Sequence, residues 1–375
     1  MREGEPPRSE ETPAGARVAG DTQQDGAPTR GPRGAESPKP EAHVAPPAGG
    51  DVPTRGTPAG TSNAGDMPKV LTPSRYLAWL YSTDAQKPLL AALLELESEI
   101  ASGLRGDIDH HVAHARVQWW GEEVERSAEG RPVHPLTREL VRVRANVGGH
   151  AGRVASVADA ALAASVASAT NATPAASAAI GAMPPAASPA LAGIAGFVDT
   201  AVWDLASATF ETRKELTAYC ERWATAMFET APAGSAASHW KTLGAAVREI
   251  ELLTDAARDA HAGRVRVPLD ELDRLGVEPN ALAKLPWLAP VAALLKERHE
   301  ALRATVATSL AALPRDEQAT LRGLLVWATL ASRLSERAQR ALPNAILPRR
   351  YDSLADGWQA WRAARRAAVG KFQLG

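Results

Sequence analysis

The chain has 375 residues, 42 of them Lys or Arg and 43 Asp or Glu, a formal net charge of −1 and a 45% hydrophobic composition. Balanced charge argues against a general nucleic-acid binder, because phosphate backbones are held by a concentrated basic face. A single cysteine, Cys220, excludes an internal disulfide and a cysteine-rich zinc site.

In chain order, residues 1–66 are rich in Pro, Gly, Ser, Thr, Glu and Arg with almost no large apolar residue, and a disordered low-complexity tail is expected there. The N-terminus is charged and proline-rich rather than a basic segment followed by an apolar one, so no secretory signal is read. From Leu71 onward apolar residues recur at helical spacing and apolar–polar alternation is scarce. Helices are expected over 74–82, 87–104, 107–128, 135–146, 196–206, 212–229, 238–261, 269–274, 288–311, 315–340 and 352–368. Long helices with short joints imply an all-α bundle around one core, a single domain spanning 67–375. Residues 155–190 interrupt the pattern with alanine-rich sequence and read as a surface insertion. The weakly apolar tract 154–198 is broken by Asn171, Pro174, Pro184, Pro185 and Pro189, a poor membrane span, so a cytoplasmic protein is expected.

The stretch "LLTDAARDAHAGRVRVPLDEL", residues 252–272, carries the clearest chemistry. Asp255 and Asp259 stand four apart and share a helical face, where they could hold a divalent cation. The basic run "GRVRVP" just beyond could then meet an anion that the cation also touches. The plain alternative is a solvated helix face that stops at Gly263 and Pro268.

Several stretches together resemble the squalene/phytoene synthase family of head-to-head prenyl diphosphate synthases. "AAVREIELLTDAARDAHAGRVRVPLDELDRLGV" is similar to that family's second aspartate-rich helix, with its Asp-x-x-x-Asp and its Gly-Arg. "FVDTAVWDLASATFETRKELTAYCERWATAM" resembles the segment in which an Asp-Leu pair precedes a Tyr-Cys helix, here Asp204, Leu205, Tyr219 and Cys220. "SRYLAWLYSTDAQKPLLAALLELESEIASGL" and "HARVQWWGEEVERSAEGRPVHPL" look like the opening helices of a bacterial branch, and the likeness spans roughly residues 74–345. It implies a helical bundle of the isoprenoid synthase type. It also implies Mg²⁺-dependent condensation of two polyprenyl diphosphates, with the metal drawing off diphosphate and an apolar interior sheltering the allylic cation. Carried over residue by residue, Asp255 and Asp259 become metal ligands, Arg264 a diphosphate contact, and Tyr219 and Asp204 catalytic positions. The ligand class implied is a prenyl diphosphate or other isoprenoid.

The first aspartate-rich motif departs from the family. Ala101, Ser102 and Arg105 stand where its aspartates belong, and neither alanine nor serine replaces a magnesium carboxylate. Glu95 and Glu99 form a nearby i, i+4 pair, but about six residues upstream, roughly 9 Å along a helix. In the second motif Glu251 and Thr254 replace an asparagine and an arginine. Two readings therefore stand: a magnesium-dependent prenyl transferase, or a non-catalytic relative that binds isoprenoid or serves as an assembly factor, similar to the branch linked to respiratory complex I.

Other features are weaker. His110, His111 and His114 offer an i, i+4 pair without a metal-site context. Cys220 reads as a small core residue. Trp119, Trp120, Trp223, Trp240, Trp358 and Trp361 read as core or packing residues, or as lining for a lipid cavity. The C-terminal "WQAWRAARRAAVGKF" is an aromatic and basic helix suited to an anionic membrane surface, or simply a solvated terminal helix.

Overall fold

A computed structural model of the chain describes residues 72–104, 108–146, 193–206, 209–229, 237–345 and 354–374. The expected tail 1–66 and insertion 155–190 lie outside these residues, as does Arg105. The described residues carry helices and no strand. In order they are α1 (Pro73–Tyr81), α2 (Lys87–Ser102), α3 (His110–Ala128), α4 (135–146), α5 (Ala195–Leu205), α6 (Arg213–Ala224), α7 (Ala237–Thr254), α8 (Ala256–His261), α9 (Leu269–Arg274), α10 (Ala289–Ala311), α11 (Arg315–Thr320), α12 (Arg322–Ala341) and α13 (Leu354–Ala368). A π turn, Thr225–Glu229, extends α6, and a 3₁₀ turn, Pro279–Ala283, lies between α9 and α10.

Local chemistry sets several ends. Proline stands in the first turn of α1, α2 and α10, where its missing N–H costs no helical bond. Asp109 caps α3 by accepting from the His111 and Val112 amides at 2.9 and 3.3 Å. The buried Glu123 on α3 accepts from the Val133 and His134 amides, both at 2.8 Å, and from the Thr137 hydroxyl, so that it ties α3 to the start of α4.

The periodicity predicts one helix over 238–261, but the chain kinks at Asp255, which separates α7 from α8. It also breaks the expected 315–340 helix at Leu321. Gly263, with φ +78°, turns the chain after α8 into the left-handed region that glycine tolerates, and so aims the basic segment 264–266 back along α8.

Helix α7 packs against α6, α10 and α12; α12 in turn carries α1 and α13. The core joins them, with Leu89, Leu93, Phe228, Leu243, Val247, Ile250 and Leu325 fully buried. One close crossing is set by Gly196 on α5, where a methyl group would stand 2.0 Å from the Arg222 carbonyl of α6.

Candidate functional site

Helices α2 and α7 face each other across a cleft of about 950 Å³, which the start of α1, α8 and the segment 264–266 complete. The lining stripe of α2 is Leu94, Glu97, Ser98 and Ala101, an i, i+3, i+4, i+7 face. It carries one carboxylate, Glu97. Opposite, Glu251, Asp255 and Asp259 reach the cleft, and Asp204 joins them from α5. Glu95 is half-buried, Glu99 is exposed, and neither lines the cleft.

Five arginines line the same space: Arg75, Arg248, Arg258, Arg264 and Arg266. Every acid there has a guanidinium beside it. Arg75 donates to both oxygens of Glu97, the second at 3.3 Å, and to Glu251 at 3.1 Å. Arg248 lies 3.9 Å from Glu97 and 3.5 Å from Glu251. Arg258 pairs with Asp255 at 2.6 Å. Arg266, 5% exposed, binds Asp204 at 2.8 Å and Asp259 at 2.9 Å, while Arg264 stands 3.6 Å from the other Asp259 oxygen. The turn at Gly263 makes the Asp259 pairs possible by folding the basic run back onto α8.

Below the cleft the bundle interior is aromatic. Trp223, Phe228 and Trp327 are each at most 1% exposed and touch one another. Their polar edges serve the ion network: the Trp223 indole N–H donates to Glu97 at 2.7 Å and that of Trp327 to Glu251 at 3.2 Å. Arg75 lies over both rings, 5.6 and 5.2 Å from their centroids, and Arg248 lies 5.1 Å over Trp223. Burial works against the charges of Arg75, Arg248 and Arg266, yet neighbouring groups outweigh it and hold all three above the ordinary arginine range. For Arg75 these are Glu97 and Glu251; for Arg248, Tyr219, Glu97 and Glu251; for Arg266, Asp204 with Tyr219 and Asp259.

Tyr219 and Asp204 are brought together. The Tyr219 hydroxyl donates to Asp204 at 3.1 Å and accepts from Arg248 at 3.4 Å. Burial, with the nearby Asp204 charge, pushes this phenol up to about 12 even though Arg248 and Arg266 oppose the shift. Cys220 is buried beside it with Phe210, Leu216 and Leu252, and burial with the Glu249 charge raises its thiol, the environment of an inert core cysteine. His110 and His114 approach to 3.0 Å between Nε2 atoms, and His110 edges the cleft. Among the described residues no group of three or more His, Cys, Asp or Glu side chains is placed to hold a metal ion.

Among the tryptophans, Trp120, Trp223 and Trp240 are buried, but Trp119, Trp358 and Trp361 lie at the surface, not in the core. Arg75, Arg248 and Arg266 and the acid Glu97 do not stand out in the sequence. Arg75 meets Glu251 across 176 positions, a separation that no local spacing reveals. For Arg266 a signal existed, since it lies in the basic run that follows the aspartates.

The profile of the squalene/phytoene synthase family matches residues 71–355. Solved structures similar to this chain include a dehydrosqualene synthase in complex with ligand, at TM-score 0.54 and 15% identity over 78% of this chain and 90% of that one. They also include squalene synthase HpnC from Alicyclobacillus acidocaldarius, at TM-score 0.50 and 14% identity over 72% of this chain and 89% of that one. At such identities the likeness is one of fold. No curated protein matches the chain.

Proposed function

The chain belongs to the squalene/phytoene synthase family, and from that premise we propose that it binds an isoprenoid in the family's cleft without ionising it. The observation that carries this reading is the pairing of every cleft carboxylate with an arginine. Magnesium needs hard oxygen donors that can turn toward it and keep several of its waters. On the α2 wall the sole acid, Glu97, already accepts from Arg75 and from the Trp223 indole. On the opposite wall Arg258 takes Asp255, and Arg264 and Arg266 take Asp259. With five guanidinium groups beside five carboxylates, the lining keeps no net negative charge to draw in a dication. The donor set does not fit a two-sided metal clamp, so no step of diphosphate departure is assigned to it.

Binding remains within the cleft's means. Arg258, 69% exposed in its side chain, and Arg264, whose Nε lacks a hydrogen-bond partner, stand where a prenyl diphosphate or related anionic isoprenoid head would meet guanidinium donors. Guanidinium geometry suits phosphate oxygens bidentately. The reading is shared by the assembly-factor alternative, which also retains the fold without its metal clamp. It is tested by titrating geranylgeranyl diphosphate into the full chain in EDTA and in Mg²⁺. Equal affinity under both conditions, weakened several-fold by Arg258→Gln with Arg264→Gln, is expected. Binding that requires Mg²⁺, or no binding in either condition, overturns it.

A further inference from the structure

Helix α13 is turned inside out relative to an ordinary surface helix. Its small residues Ala360, Ala363, Ala364 and Ala367 are buried against the bundle, whereas its large ones face outward: Leu354 is 97% exposed, Trp358 57%, Trp361 38%, and Val369, just past its end, 64%. These positions fall on one helical stripe, and the exposed Arg362 and Arg365 fall on it too. The helix that carries it runs 15 residues, roughly 23 Å at the α-helical rise. Trp358 and Trp361 stack with centroids 4.7 Å apart, and Arg365 lies 5.3 Å over Trp361, so the aromatic surface is held in place and carries charge at its edge. Alongside, a notch of about 220 Å³ opens between α1, α12 and α13, walled by Leu80, Tyr81, Arg322, Trp361, Ala364 and Arg365.

The charges favour an anionic occupant. Two acids near this face are already paired, Asp356 with Arg333 at 3.3 Å and Arg337 at 2.8 Å, and Glu336 with Arg340 at 3.3 Å. Arg362 and Arg365 remain beside exposed tryptophan, while Arg322 is held by the Tyr81 and Ser82 carbonyls at 2.7 and 3.5 Å. Indole rings settle at the headgroup level of a bilayer, where one edge is apolar and the other wet, and arginines beside them gain from anionic lipid. Among the described residues no helix is long and apolar enough to cross a membrane, which leaves contact in the plane of the surface as the geometry for this stripe.

We propose that the outward face of α13, with Trp358 and Trp361 inserted and Arg362 and Arg365 on phosphates, docks the protein on an anionic phospholipid bilayer. The inference is independent of the cleft. Helix α1 connects the two regions, since Arg75 near its start lines the cleft and Leu80 and Tyr81 at its end wall the notch.

The test is cosedimentation of the full chain with vesicles of phosphatidylglycerol and phosphatidylcholine, and with phosphatidylcholine alone. Binding to the anionic vesicles is expected, weakening as salt rises from about 0.05 to about 0.5 M and the Debye length shrinks. Trp358→Ser with Trp361→Ser should lower the partition coefficient about tenfold or more, and Arg362→Gln with Arg365→Gln several-fold with a flatter salt dependence. Val202→Ser, an exposed apolar position on α5, should leave it unchanged. Because the altered side chains are exposed, circular dichroism and unfolding midpoints should match those of the parent chain. Absence of binding at every anionic fraction, binding that survives loss of both tryptophans, or protection of Trp358 by a soluble protein in place of vesicles overturns the proposal.

Discussion

Glu97 and Glu251, one on each wall of the cleft, are held by the same two arginines, Arg75 and Arg248. Each also accepts an indole N–H, from Trp223 and Trp327 respectively. The pair of helices that would clamp a metal in the family's enzymes is thereby joined through guanidinium groups and tryptophan edges.

Removing one member of such a buried network exposes the asymmetry between making and breaking ion pairs. Arg75→Met is expected to cost about 3–5 kcal/mol, because Glu97 and Glu251 are left largely buried and partly uncompensated. Adding Glu97→Gln and Glu251→Gln to that variant should recover part of the loss. Urea unfolding of the parent, Arg75→Met, the Glu97→Gln and Glu251→Gln double variant and the triple variant measures both effects, and an additive result would show that Arg75 acts through packing alone.

Arg266 is the second keystone. It lies between Asp204 and Asp259, and its guanidinium sits 5.7 Å over the Tyr219 ring. Arg266→Met should therefore destabilise by about 3–5 kcal/mol. Tyr219→Phe, which removes only a hydroxyl between Asp204 and Arg248, should cost about 1–2 kcal/mol. The ratio of the two losses, read from denaturation midpoints, distinguishes a buried charge network from a tyrosine-centred one.

Much of this architecture was legible in the sequence and some of it was not. The helix over 135–146, the short helix 269–274 and the end of α3 at residue 128 follow directly from apolar periodicity and flanking prolines and glycines. The break at Asp255 was missed because the apolar periodicity runs on across it, from Leu253 to the buried Ala256 and Ala257. Asp255 and Asp259 both line the cleft, but Asp255 stands at the break between α7 and α8 and Asp259 on α8, so they do not share one continuous helix. The arginines that neutralise them, Arg258, Arg264 and Arg266, stand within seven residues of Asp259, whereas Glu97 and Glu251 are held from far along the chain, and an arginine such as Arg75 looks like any solvated arginine until α2 and α7 are set beside it. The acid on α2 that reaches the cleft is Glu97, the residue between the Glu95 and Glu99 pair that spacing brought forward.

Stability should fall with acid through His299. Its ring is buried, with Nδ1 3.0 Å from the Ser335 hydroxyl, and burial together with the Arg303 charge lowers it to about 4 from an ordinary 6.5. A folded-state value depressed below the unfolded one means that the unfolded chain binds more protons between these values. The contribution is therefore complete above about pH 6.5 and is lost as pH falls toward 4, on the order of 3 kcal/mol across the window. His299→Gln should flatten the pH dependence of the unfolding free energy in that range, and an unchanged slope would assign it to other groups.

Two glycines in helices should respond oppositely to alanine. Gly196→Ala places a methyl group 2.0 Å from a backbone carbonyl, so α5 must move away from α6, and a loss of several kcal/mol is expected. Gly121→Ala on α3 meets nothing within 4 Å and should gain about 0.5–1 kcal/mol from helix propensity. Thermal midpoints of the two variants check the close crossing directly.

The most direct test of the cleft's role is diphosphate release from farnesyl and geranylgeranyl diphosphate, followed with and without Mg²⁺ in the full chain. The arginine-neutralised cleft predicts no Mg²⁺-dependent release and no hydrocarbon product, while the ligand still binds. Release that requires Mg²⁺ and disappears in Asp255→Ala and Asp259→Ala would contradict it, and would mean that the arginines yield their carboxylates to the metal when substrate arrives.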